Sequence, residues 1–425
     1  MLKLLIVSIC VVVATCATSV KRYDDYKVFQ ITPTTDSQLD SLRSFNDRQN
    51  EGYQFWKEPS IRFRPTYLMV PPDKLQDFKR TMNLTEIDYQ TRIENVQTLI
   101  DRTYPAIESR SNTDFSWDRY HTYEEIDAWL DQLAAEYDQV EVVVGGKTHE
   151  ARLIKGVKLS WGKNNPGIFL EAGIHANEWI GPATATYLLN EFLTSKDPKV
   201  RRLAEAYDWY VFPIFNPDGY AYTFKKDRMW RKTRVPNDNG CFGVDPNRNW
   251  DYQWMTYLNC ADGGASDNPC DSTYAGKSPF SEIETRTISN YISSISGKLF
   301  AFVSFHSYGQ HLLLPYGHTK EHLDNYDELV IGKKSIDALA KRYGTEYDIG
   351  NIPEVLYIDS GSSMDWVKGV HKLPITYTYE LRDEGVYGFL VPPNVIIPTG
   401  KEVLDSFITM FEEASKLGYP KKFDE

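Results

Sequence analysis

Two residues three apart, His175 and Glu178, follow directly on the glycine that ends a strand-like run, Ile168-Phe-Leu-Glu-Ala-Gly173. An imidazole nitrogen and a carboxylate oxygen are donors that zinc accepts together. Pro182 and an apolar, helix-like segment from Thr184 to Phe192 come next. Strand, turn, helix is how an open α/β sheet presents side chains at a strand's carboxyl end, where such sheets bind ligands. Alone, the pair reads equally well as a polar turn after a strand, and a catalytic zinc needs a third protein ligand. His306 is the candidate, because it closes the apolar run Phe300-Ala-Phe-Val-Ser-Phe305 and so also stands at a strand end. A histidine there can instead be a satisfied core residue. His149, His311, His318, His322 and His371 lack that setting and read as surface or loop residues, and His121 as a helix-start residue.

Between the two halves of this candidate metal site runs Lys225-Lys-Asp-Arg228-Met-Trp-Arg231-Lys-Thr-Arg234, then Asp245-Pro-Asn247-Arg248-Asn249-Trp250. A basic run is usually a solvated face. Arg and Asn beside a metal would also suit a substrate carrying a carboxylate, which a guanidinium fork matches bidentately. Further on, Ile375-Thr-Tyr-Thr-Tyr-Glu380 alternates as a strand. Glu380 is either a carboxylate on an exposed strand face or a general base for a water activated by the metal.

These side chains need a scaffold, and the pattern supplies one. Thr122-Tyr-Glu-Glu125 is a capping box ahead of Ile126, Trp129, Leu130 and Leu133 at helical spacing. Strands are expected at Val140–Val144, Ile154–Leu159, Ile168–Ala172, Trp209–Phe212 and Phe300–Phe305, and helices at Leu323–Tyr343 and Glu402–Leu417. Such alternation indicates one large α/β domain. Ahead of it, from Lys21 to about Arg102, lies a smaller α+β unit. Its expected strands are Lys27–Ile31, Tyr53–Lys57 and Arg62–Val70. Its expected helices are one capped by Asp36 and a longer one from Ile87 through Ile93, Val96 and Ile100. The polar stretch Tyr104–Asp114 joins the two as an exposed connector, where proteolytic nicking concentrates. Arg110 in it is a natural site for a trypsin-like protease, the alternative being a linker left uncut.

At 425 residues, 41% hydrophobic and 25% charged, the chain has room for more than one folding unit and no leaning to disorder. A net charge of −12 argues against nucleic-acid or anionic-membrane partners. Residues 1–17 read as a secretory signal, with Lys3, a short apolar stretch from Leu4 to Val13, and small residues before Ala17; an uncleaved anchor is the alternative. Cys10 and Cys16 leave with that leader. Cys241, Cys260 and Cys270 remain, enough for one disulfide and one free thiol. Asn83-Leu84-Thr85 is a glycosylation sequon.

Taken in order, His175-Ala-Asn-Glu178-Trp, Trp230-Arg231-Lys-Thr-Arg, Asp245-Pro-Asn247-Arg248-Asn249-Trp250, Phe305-His306-Ser-Tyr308 and Tyr379-Glu380-Leu-Arg-Asp carry a family resemblance. The chain resembles a secreted zinc metallocarboxypeptidase of the pancreatic carboxypeptidase A/B type in zymogen form, from Tyr23 to the C-terminal helix. The resemblance implies a mixed eight-stranded sheet flanked by helices, preceded by a small α+β pro-domain. It implies residues 1–17 as signal peptide, 18–110 as activation pro-domain and 111–425 as catalytic domain. One Zn2+ per chain would be held by His175, Glu178 and His306, with Asp245 orienting the His175 ring. Glu380 would take a proton from water and hand it to the leaving amine, and Arg231 would stabilise the oxyanion. Asn247, Arg248 and Tyr357 would grip the substrate's terminal carboxylate, and Tyr308 would line the neighbouring subsite. Cys241 and Cys270 would form the family's disulfide. The implied partners are peptide and protein C-termini and an activating trypsin-like protease, with no nucleic acid and no membrane. The implied state is a secreted, extracellular monomer, with a digestive lumen as one setting.

Three departures from the family stand out: Asn177 in place of a common arginine, a longer Asp251–Asp267 loop carrying Cys260, and one residue inserted within Gly369–Pro374. By the same resemblance Met364 would fall at the base of the family's primary pocket, with Leu313 and Thr378 at pocket-lining positions, which points to aliphatic or aromatic C-terminal residues. Asp359, on another wall, would draw Lys or Arg if it pointed inward, the B-type alternative. A catalytically silent peptide-binding relative is the other, and it would have no need of Glu380 and Arg231.

Overall fold

The structure is a computed structural model that describes residues 20–104, 115–256, 264–321 and 326–420. The expected leader (1–17), Arg110, Cys260 and His322 lie outside the described residues.

The N-terminal unit runs β1 (Lys27–Ile31), α1 (Asp36–Arg43), β2 (Gln54–Lys57), β3 (Thr66–Val70), α2 (Leu75–Leu84), β4 (Tyr89–Ile93) and α3 (Val96–Thr103). Its sheet has the order β2-β3-β1-β4. Two expectations are corrected here. The helix expected from Ile87 to Ile100 is strand β4 followed by α3. Ile93, Val96 and Ile100 do share a helical spacing, but Gln90 and Thr91 pair with β1, and Asn95 caps α3 by accepting from the Thr98 N–H. The free edge of β1 outweighed the local periodicity. The cap of α1 is Thr35, one residue before Asp36, and α2 was not foreseen.

The larger unit runs α4 (Tyr123–Glu136), β5 (Val140–Lys147), β6 (Leu153–Leu159), β7 (Gly167–Ala172), α5 (Ile180–Thr194), α6 (Pro198–Ala206), β8 (Asp208–Phe212) and α7 (Pro217–Lys225). It continues with α8 (Ile283–Ile295), β9 (Leu299–Ser307), β10 (His311–Leu314), α9 (Asp327–Tyr343), β11 (Asp348–Asn351), α10 (Ile352–Val355), α11 (Ser363–Trp366), β12 (Ile375–Leu381) and α12 (Ile396–Lys416). Its eight strands form one mixed sheet in the order β11-β10-β12-β9-β7-β8-β6-β5. The central strands β12, β9, β7 and β8 are mutually parallel. Both faces of these strands are covered, which is why they read as near-continuous apolar runs. On β7, Ile168, Leu170 and Ala172 join the core under α4, α5, α9 and α12, while Phe169 joins the core under α8. The buried side chains of α12, among them Val403, Phe407 and Phe411, each contribute about 1.5–3 kcal/mol to closing the first face. The capping box at Thr122 forms as expected.

β10 and β11 were not singled out as strands, and His311 is corrected with them. It is a buried residue of β10, not a surface one. Burial, then Lys57 and Arg64 of the N-terminal unit, push its pKa down to about 3 and hold the ring neutral. His318 is half-buried, its Nδ1 2.7 Å from Asp365 Oδ2. Cys241 and Cys270 are joined in a disulfide, Cα atoms 5.2 Å apart.

Candidate active site

The parallel run β7, β9, β12 ends on one side of the sheet, and the chemistry gathers there. After β7 the chain turns at Gly173, whose φ of +65° suits glycine and where a Cβ would stand 3.0 Å from Pro182 Cγ. That turn leads through His175 and Glu178 into α5. His306 is the penultimate residue of β9, and the parallel register sets Glu380 of β12 directly beside it.

His175, Glu178 and His306 are buried and converge, with one donor atom from each lying within 4.8 Å of the others. His175 Nδ1 lies 2.8 Å from Glu178 Oε1 and 3.1 Å from His306 Nδ1. Two ring nitrogens and a carboxylate turned toward one point form a zinc donor set. The far nitrogen of His175 is engaged by Asp245 Oδ1 at 3.1 Å, which leaves Nδ1 for the metal. Burial works against ionisation of Asp245, yet Arg231 and then His175 hold its pKa well below the usual carboxylate range. The other oxygen, Oδ2, accepts from Arg231 Nε and Nη2 at 3.1 and 2.8 Å. Asp245 therefore ties the metal-ligand turn to Arg231, and the backbone bond from Ala176 N to Arg231 O, 3.0 Å, ties them again.

Arg248, 2% exposed, stands further along the cleft. Its Nη1 donates to the Asn247 carbonyl at 2.9 Å, and its Nη2 lies 3.4 Å from Tyr357 Oη. Asn247 Oδ1 accepts the Ser363 N–H at 2.9 Å. Met364, Leu313, Ile352 and Thr378 line the inner end, with Thr378 Oγ1 3.4 Å from Met364 Sδ. Tyr308 packs edge-on against Phe389 at a centroid distance of 5.0 Å. Every residue expected at the site thus lies on or beneath this one cleft. Burial, and then Glu178, push the pKa of Glu380 well above the usual range, against the pull of Arg231, Lys57 and Arg248.

Other participants carried no sequence signal. Glu171 of β7 is buried and accepts from Ser304 Oγ (3.0 Å) and Ser363 Oγ (2.7 Å), so it braces β9 and α11 beneath the pocket. Burial raises its pKa to about 7. The N-terminal unit enters the cleft itself: Gln54, Phe55, Trp56, Lys57 and Glu58 line it beside Arg231 and Arg248, around a cavity of about 100 Å³. A Cβ at Gly388 would stand 2.7 Å from the Trp56 ring, and one at Gly385 would stand 2.9 Å from the Tyr67 ring. Arg64 Nη1 donates to the Leu356 carbonyl at 2.7 Å, and Tyr23 Oη to Asp227 at 2.6 Å. A four-residue strand ending at Lys57, with Glu58 next to it, has no periodicity or motif that says where it docks. Asn177 is buried in the same cleft, and its carbonyl accepts from Arg228 at 2.8 Å.

Strand-end donors for a metal, a carboxylate beside them and arginines along one wall define a metallohydrolase on an open α/β sheet. The chain belongs to the zinc carboxypeptidase family: residues 126–406 match the family described as zinc carboxypeptidase, and residues 29–103 match the carboxypeptidase activation peptide. It is 47% identical to Zinc carboxypeptidase A 1 of Anopheles gambiae, over 95% of this chain and 93% of that one. It is 36% identical to Carboxypeptidase A2 of Mus musculus, over 91% and 93% of the two chains. The crystal structure of carboxypeptidase A from Helicoverpa armigera superposes with a TM-score of 0.82 at 29% identity, covering 93% of this chain and 98% of that one. The protein is a zinc metallocarboxypeptidase that carries an activation peptide.

Proposed function

We propose that the chain is secreted as a monomeric zymogen, that a trypsin-like protease cuts it near Arg110, and that the released catalytic domain, 111–425, removes single C-terminal residues of A-type preference from peptides. The observation that carries this reading is the convergence of His175, Glu178, His306 and Glu380 at the ends of three adjacent parallel strands, with Arg231 and Arg248 on the same cleft. His175, Glu178 and His306 would hold the zinc, whose Lewis acidity would be supplied to the scissile carbonyl and to a water beside it. Glu380 accepts that water's proton and returns it to the leaving amine nitrogen. Arg231, fixed by Asp245, donates to the developing oxyanion. Arg248, Asn247 and Tyr357 grip the terminal carboxylate, which restricts cutting to the last residue. Segment Gln54–Glu58 fills the cleft until the activation peptide leaves, its side chains lining the pocket beside Arg231 and Arg248; burial raises the Glu58 pKa to about 7, and the two arginines oppose that rise.

Met364 and Leu313 support an A-type pocket, as does Asp359, which faces Arg248. An unpaired ammonium among these apolar side chains would be costly to bury. A peptide ending in Phe or Leu is therefore expected to be cleaved at least about 100-fold faster, in kcat/KM, than the same peptide ending in Lys. A strong Lys preference would sink the A-type assignment. The activation reading is tested by trypsin. Intact chain should show no turnover, cutting near Arg110 should release it, and a zinc chelator should abolish it until Zn2+ is restored. Full activity of the uncut chain would reject the autoinhibited zymogen.

A further inference from the structure

Asp359 stands on the cleft wall two residues after Tyr357 and is 5% exposed. Its Oδ2 lies 3.4 Å from Arg248 Nη1, while its Oδ1 is buried with no hydrogen-bond partner among the described residues. Gly317 leaves the room for that oxygen, because a Cβ there would come within 1.9 Å of it. The Asp359 N–H is fixed on the Gly317 carbonyl at 3.0 Å. A buried guanidinium needs a counter-ion, and the neighbouring acids are committed elsewhere. Asp245 is held by Arg231 and His175, and Asp365 by His318 and the Gly317 and His318 N–H groups. Asp359 makes the ion-pair contact to Arg248 among the described residues, and Glu58, on which Arg248 also acts, belongs to the activation peptide and leaves with it.

A substrate's terminal carboxylate arriving at Arg248 would place two anions on one buried cation. Like charges in such a site favour protonation of one of them. We propose that Asp359 is the resting counter-ion and positioning residue of Arg248, ionised while the cleft is empty and taking up a proton from solvent when a substrate carboxylate replaces it. The proposal rests on the reading of Arg248 as the carboxylate grip. Its surroundings already favour the exchange. Burial raises the Asp359 pKa to about 7, with Asp365 and Asp245 adding to it and Arg248 and His318 opposing. The bound-state pKa is higher still. Substrate affinity is then fully present below about pH 7 and declines as pH rises through that value.

The test is kcat and KM between pH 6 and 9 for a peptide ending in Phe, using full-length chains activated by trypsin. In the unaltered enzyme KM should rise about tenfold or more across that range. In Asp359→Asn the rise in KM should shrink to within about twofold over the same pH range. Asp359→Ser serves as the second variant if Asp359→Asn fails to fold. A KM rise in the variant equal to that of the unaltered enzyme overturns the proposal. Arg248→Ala separates the two readings: if it leaves KM unchanged, the carboxylate-grip reading is what fails.

Discussion

Glu380→Gln is expected to keep its zinc and to lower kcat by about 10²–10⁴-fold. The carboxyl is outside the converging His175, Glu178 and His306 group, so metal content should stay at one ion per chain by atomic absorption. The substitution is nearly isosteric, and the β12 backbone remains paired with His306 on one side and His311 on the other. Folding should therefore be intact. What the amide loses is the capacity to accept a proton from water and return it to the leaving nitrogen. Because that step is made only in the transition state, the loss should fall on kcat with KM nearly constant. Unaltered turnover in the zinc-loaded Glu380→Gln enzyme would remove Glu380 from the chemistry.

His306→Ala attacks the site from the other side. With one of three protein donors gone, the remaining pair cannot close a catalytic zinc site. Metal content after dialysis should fall well below one per chain, and turnover should drop at least about 10³-fold, because the Lewis-acid contribution leaves with the ion. By contrast Asp245→Ala leaves the three donors in place and removes the partner of His175, of Arg231 and of the Asn247 N–H. It should cost about 10–100-fold in metal affinity, recoverable with added Zn2+. A His306→Ala enzyme that holds a full equivalent of zinc would mean that His306 is a core residue and that the third donor lies elsewhere.

The strength of the sequence signal varied with how local its cause was. The capping box Thr122–Glu125 is a contact between residues three apart, and it formed as read. The apolar runs at β7 and β9 are legible because a strand covered on both faces must be apolar throughout. The polar residues that end those runs, His175 and His306, stood out for the same reason. The stretch from Ile87 to Ile100 went the other way. Its spacing fits a helix over Ile93–Ile100, but an available edge on β1 took Tyr89–Ile93 into the sheet, a choice made more than 50 residues away. His311 looked like a loop residue because β10, four residues long, is too short to show a period.

The sequence by itself offered the atoms for the chemistry: a nitrogen–oxygen–nitrogen donor set, a carboxylate candidate for the base, two arginines, and strands that end near the donors and at that carboxylate. Those assignments follow from residue type and from contacts a few residues apart, which any copy of the sequence carries. Only the tertiary structure decided which charges meet. Register between β9 and β12 set Glu380 beside His306. The fold also seated Glu58 of the activation peptide in the cleft, left Glu171 under the pocket, and turned Asp359 to Arg248 across 111 residues of chain, 359 less 248. Ion pairs and buried hydrogen bonds depend on distances between elements, and those distances exist only once the sheet has formed.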